Sequence, residues 1–193
     1  MAASEERTLP SPSPSPIAPP ALAIPKQAQT GSTAAMHPGL DHFNAAPPDE
    51  ARAFLLDCCA SERWAQRVAE HRPYPDLDAL LAAADEAGYD LGPADLDEAL
   101  AAEESEYAGS GDTPQSALTA LRAAHAAYEA KFGHAFLLSL DAFHDDEHLD
   151  QVLAGLRTRL TNDPDEERSV AAEQLRRLAR ERITDALYVL TYA

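Results

Sequence analysis

Residues 162–190 read NDPDEERSVAAEQLRRLARERITDALYVL. Asn162-Asp163-Pro164 is a helix start: Asn or Asp accepts from the first unpaired amides, and proline suits the first turn. Asp165, Glu166 and Glu167 follow, where the helix dipole favours negative charge. Ala171, Leu175, Leu178, Ala186 and Val189 then recur at helical spacing and predict one apolar stripe on a long last helix running to about Leu190. Arg182 falls in the middle of that stripe, whereas Arg176, Arg177 and Arg180 are predicted to point elsewhere. A guanidinium turned into a helical interior needs an anion. It either pairs with a buried Asp or Glu, snorkels at the helix end, or serves as a bidentate clamp for a substrate carboxylate or carbonyl.

Upstream, helix signals continue almost without interruption. Pro47-Pro48-Asp49-Glu50 opens a segment with Phe54, Leu55 and Cys58 on one side. Ser61 caps a helix from Glu62 to about Glu70, which Pro73 ends, and Asp76 caps another with Leu77, Leu80, Leu81 and Ala84 inward and Gly88 as its stop. Gly92-Pro93 starts a fourth, carrying Leu96 and Leu100. Residues 103 to 113 read as an acidic, glycine-containing loop. Thr113-Pro114 starts a fifth helix that runs to about Lys131 and closes at Gly133, and a sixth runs from about Asp145 to Leu160. The apolar run from His134 to Leu140 fits a strand or a buried helical turn equally well. The class is therefore all-α, a single compact domain with short loops.

The fifth helix carries a second inward polar group. Leu118, Leu121, Tyr128 and Phe132 share a stripe and His125 falls within it, either as a proton carrier or as a core histidine satisfied by a carbonyl. His144 and His148 stand at i and i+4 with acids between, but the order is not the zinc-protease one and the run opens a helix, so a solvated first turn is expected and no metal site. No serine sits in a nucleophile elbow and no glycine loop cradles phosphate.

Composition narrows the function classes. The 193 residues hold 33 acidic against 15 basic side chains, a formal charge of −18. Nucleic acid and anionic membrane are disfavoured as main partners, because phosphates attract Lys and Arg, and no segment has the length of a membrane span. A small anionic substrate in one local basic pocket remains compatible. Residues 1–38 hold eight of the fifteen prolines, alternating with serine from Pro10 to Pro16, and read as an extended, disordered tail without the basic start of a secretory signal. The tail's charges cancel, so residues 39–193 carry the whole negative field. Cys58 and Cys59, adjacent, form no disulfide framework and lack metal-ligand spacing, which suits a reducing, cytoplasmic setting.

Several motifs converge in order and spacing: Phe43-Asn44; Cys58-Cys59-Ala60-Ser61 with Trp64-Ala65; Arg72-Pro73-Tyr74 with Leu80 to Asp85; Tyr128-Glu129-Ala130-Lys131-Phe132-Gly133 followed by Phe136-Leu137; Arg159-Leu160-Thr161-Asn162-Asp163; and Glu173-Gln174-Leu175. Over about residues 39–190 the chain resembles the 2-oxo-4-hydroxy-4-carboxy-5-ureidoimidazoline (OHCU) decarboxylases of urate breakdown. The resemblance implies an all-helical, cofactor-free homodimer acting on a small anionic ureidoimidazoline, which it converts to (S)-allantoin with stereospecific loss of carbon dioxide. By position it makes Arg182 the active-site arginine, gives Phe136, Leu137, Leu138, Ser139 and Leu140 the backbone bordering the substrate, and makes Glu106 a substrate-binding glutamate. The chain departs from the family where a His-Pro pair should follow the fourth helix: Leu100-Ala101-Ala102 runs straight into Glu103-Glu104-Ser105, and Tyr107 replaces a glutamine. The family histidine is the proton carrier, so His125 or Glu103 is expected to take its place. The alternative is a catalytically impaired relative, a helical domain that binds a ligand or a protein.

Overall fold

The computed structural model describes residues 37–105 and 113–192, and the predicted tail through Met36 and the substrate-binding candidate Glu106 lie outside them. The described residues form eight α-helices and no strand: α1 (Pro38–Ala45), α2 (Pro48–Cys58), α3 (Glu62–Glu70), α4 (Leu77–Tyr89), α5 (Pro93–Ala102), α6 (Gln115–Phe132), α7 (His148–Arg159) and α8 (Pro164–Tyr192).

Local chemistry sets most of the boundaries. Ser61 Oγ accepts from Trp64 N at 3.4 Å and Asp76 Oδ1 from Ala79 N at 2.8 Å, which satisfies amides that the helices leave without partners. Asp163 Oδ1 accepts from the amides of Asp165 (3.0 Å) and Glu166 (2.9 Å) at the start of α8. Gly133, at φ 80°, ends α6 in the left-handed conformation that a side chain would resist. Two boundaries differ from expectation. The short α1 is an addition, capped by His37 Nδ1 on Leu40 N at 3.2 Å, and α7 begins at His148 because Asp145–Glu147 form a turn.

The long α8 is the axis against which α1, α2 and α4 pack. Its buried positions are Ala171, Leu175, Leu178, Ala179, Ile183 and Leu187. From Leu175 onward they fall mainly four residues apart, and since a turn takes about 3.6 residues the stripe drifts around the helix. Val189, expected inward, is 65% exposed, and Arg182 borders the stripe instead of occupying its centre. At one crossing the backbones almost touch: a Cβ on Gly39 would lie 2.0 Å from the Leu187 carbonyl oxygen. The main core fills the space between α1–α5 and α8, with Trp64 donating from Nε1 to Ala84 O at 2.9 Å.

A second apolar cluster joins Leu121 and Tyr128 of α6, Phe136, and Val152 and Leu156 of α7. Between α6 and α7 the run from Ala135 to Leu140 is neither strand nor helix. No strand lies beside it, so distant side chains serve part of its backbone: Gln174 Oε1 accepts from Ser139 N at 2.9 Å and Arg159 Nη1 donates to Leu137 O. Among the described residues no helix is long and apolar enough to cross a membrane.

Candidate active site

The irregular run forms one wall of a cavity of about 660 Å³. Phe136 to Leu140 line it from the loop, His125 from α6, Val152 from α7, and Leu178, Arg180 and Glu181 from α8. This brings together the five residues expected to border a substrate and one of the two candidate proton carriers. Helical spacing explains the α6 contribution: Leu121, His125 and Tyr128 are its buried residues, as the stripe predicts.

The His125 imidazole is buried, 9% exposed, and neither ring nitrogen has a hydrogen-bond partner. Its ring meets the Phe136 ring edge-on with centroids 5.9 Å apart. Burial lowers its pKa below the ordinary 6.5, against the opposing pull of Glu129. A neutral imidazole offers one donor and one acceptor, and here both nitrogens are buried and unengaged in a residue that borders the cavity. That is the chemistry required of a group that takes a proton from one substrate atom and returns it to another.

Across the cavity, α8 contributes polar groups that the periodicity places elsewhere. Arg177 and Arg180 both line it, with Arg180 paired to Asp85 and Arg177 to Glu173 at 3.1 Å. Their guanidiniums are the arginine cations on this wall. Ser139 Oγ donates to Glu181, so loop and helix are joined at the cavity edge. The signal for this face was present in the spacing of Gln174, Arg177, Glu181 and Asp185 along α8, a polar row alongside the apolar one.

Arg182 occupies a different environment. Glu103 holds it in a fork, Nη1 to Oε1 and Nη2 to Oε2 both at 2.8 Å, and Nη1 also donates to Cys58 O at 3.2 Å. The Glu103 side chain is 6% exposed. The inward guanidinium thus has an internal acid, the first of the alternatives that its position raised, and Arg182 is not among the residues lining the large cavity. Both Glu103 oxygens accept from Arg182. Glu103 also borders a second cavity of about 360 Å³, with Ser105, Glu129 and His134. Beneath the pair, burial pushes the thiols of Cys58 and Cys59 up to about 12, so neither is a nucleophile near neutral pH. Among the described residues no group of three or more His, Cys, Asp or Glu side chains could hold a metal ion, and His144 and His148 flank a turn.

The family model for OHCU decarboxylase matches residues 44–103 and 100–184. The chain belongs to the OHCU decarboxylase family. The two matched stretches overlap at residues 100–103, Leu100-Ala101-Ala102-Glu103. Solved structures share the fold. An (S)-allantoin synthase superposes with TM-score 0.61 at 20% identity over 76% of this chain and 53% of its own length, so the chain spans about half of that protein. An OHCU decarboxylase solved in the presence of (S)-allantoin gives TM-score 0.59 at 20% identity over 74% of this chain and 99% of its own. No curated protein sequence matches the chain.

Proposed function

We propose that the protein decarboxylates OHCU to (S)-allantoin without a cofactor, and that His125 takes over the proton transfer of the missing family histidine. The observation that carries this reading is the His125 imidazole, buried with both nitrogens unpartnered, beside a cavity walled by Phe136 to Leu140. The substrate carbon that bears the carboxylate also bears a hydroxyl. Breaking its bond to the carboxylate releases carbon dioxide, and the electron pair moves into the neighbouring carbon–nitrogen double bond, whose nitrogen takes a proton from water. An enol remains. Neutral His125 then accepts the hydroxyl proton and delivers it to the adjacent carbon on one face, giving the ketone and a single enantiomer. The wall amides other than Ser139 N, which serves Gln174, and the Arg177 and Arg180 guanidiniums, each already paired to an acid, are the donors this cavity offers to negative charge.

The test follows decay of the intermediate formed by urate oxidation and hydrolysis. The wild-type chain should accelerate it and His125→Ala should lose most of that acceleration, while equal rates with and without protein would refute the proposal. One observation favours a second reading, a ligand-binding or protein-interaction domain without turnover: Glu103 forks the guanidinium of Arg182, which the resemblance makes the active-site arginine. Saturable binding of (S)-allantoin with no effect on the decay would support that reading instead.

A further inference from the structure

The most deeply buried ion pair in the described chain lies behind the cavity wall. Glu167 is fully buried and Arg159 is 7% exposed. Glu167 Oε1 accepts from Arg159 Nε at 2.8 Å and from the Tyr128 hydroxyl, with Arg159 Nη2 2.6 Å away in the ion pair, and Oε2 accepts from Asn162 Nδ2 at 2.8 Å. Removing these charges from water is costly, and an apolar pair of similar volume would often serve stability as well. The pair therefore invites the question of what its geometry achieves.

Two of the remaining contacts of Arg159 reach the wall, and the others go to Tyr128. Nη1 donates to Leu137 O, Nη2 to the Tyr128 hydroxyl at 3.1 Å, and Cζ lies 4.4 Å from the centre of the Phe136 ring. That ring is held from other sides as well. Tyr128 meets it edge-on at 5.1 Å, and Gly155 leaves it room, since a Cβ there would come within 3.0 Å of Phe136 Cζ. His125 also meets the Phe136 ring edge-on. A planar fork can bind Glu167, reach Leu137 O and lie over an aromatic ring at once, which an ammonium cannot.

We infer that Arg159, locked by Glu167 and Tyr128, is a positioning residue that fixes Phe136 and the Leu137 carbonyl and so sets the orientation of the His125 imidazole in the cavity. Arg159 is not among the residues lining the cavity, so it acts through Phe136. The same argument gives the Arg159-Leu160-Thr161-Asn162 motif a physical role, since Arg159 and Asn162 grip the one carboxylate from both oxygens. The catalytic part of the inference rests on the decarboxylase reading, but the positioning part does not.

Two variants separate them. Arg159→Lys keeps a charge for Glu167 but loses the fork. The paired change Arg159→Met with Glu167→Gln leaves no buried charge, which keeps the fold attainable. In each, the His125 ring resonances are assigned by NMR in the ligand-free full chain, where the Phe136 ring displaces them. Both variants should move those resonances toward ordinary histidine positions with helix content retained. They should also lower kcat by about tenfold or more with a smaller change in KM, since misalignment of a proton carrier acts on the chemical step. Unmoved His125 resonances in both folded variants would overturn the inference. A wild-type chain without turnover, combined with resonances that do move, would sink the decarboxylase reading and leave the positioning role standing.

Discussion

Replacing Glu103 with alanine tests what the Arg182 pair does. The pair comprises two charge-assisted hydrogen bonds at 2.8 Å, with a carboxylate that is 6% exposed and a guanidinium that is 26% exposed. Hydrogen bonds to charged groups contribute about 1.5–3 kcal/mol each. The two share one ion pair and water reaches the guanidinium, so the sum is discounted to about 2–3 kcal/mol. In a domain of this size that lowers the melting temperature by roughly 4–12 °C. Thermal unfolding of Glu103→Ala measures the loss directly. A cycle with Arg182→Met isolates the pair: Arg182→Met alone leaves a nearly buried carboxylate without its fork, and the double variant should recover about 2 kcal/mol of the summed losses. Single variants within about 0.5 kcal/mol of wild type and a cycle that sums to zero would refute the reasoning.

Gly39→Ala should destabilise the fold by about 3 kcal/mol, because the added Cβ meets the backbone carbonyl of Leu187 at 2.0 Å and backbone cannot yield as a side chain does; chemical denaturation reads this, and an unchanged midpoint would show that α1 does not pack there. Cys58 and Cys59 should resist iodoacetamide in native protein at about pH 8 and react once it is unfolded, as mass spectrometry would show. Their raised pKa also sets a sign: unfolded thiols ionise near 9.0 while folded ones hold their protons to about 12, so stability falls as pH rises between those values, and Cys58→Ser with Cys59→Ala should flatten that slope. His125 gives the acid-side counterpart. Its folded pKa lies below 6.5, so as pH drops past 6.5 the unfolded chain binds a proton that the folded chain refuses, and stability declines until the folded pKa is passed. His125→Phe should remove that part of the acid slope.

What was legible in the sequence follows from how far apart the deciding atoms lie. Seven helices could be read because Ser61, Asp76, Gly133 and Asp163 each act on amides or turns within a few residues. The eight-residue α1 escaped notice, since what seats it is Gly39 against Leu187 and Thr191 at the far end of the chain. His125 was readable from period alone, because α6 keeps its stripe straight. Arg182 was not, because the α8 stripe drifts and the acid that meets Arg182 lies 79 residues away. The run from His134 to Leu140 resisted assignment because neither regular structure nor a neighbouring strand forms it: Arg159 and Gln174, distant in sequence, complete its hydrogen bonds. The stripe predicts Arg177 and Arg180 outward, and they line the cavity because it opens beside the apolar row of α8 rather than along it.

On the proposed mechanism His125 hands a proton to one face of the decarboxylated intermediate. Its most direct test is the optical purity of the allantoin formed when the urate-derived intermediate is supplied to wild-type protein and to His125→Ala. The account predicts an excess of the (S) enantiomer with wild type and a near-racemic product with the variant. Equal enantiomeric composition from the two proteins would contradict it.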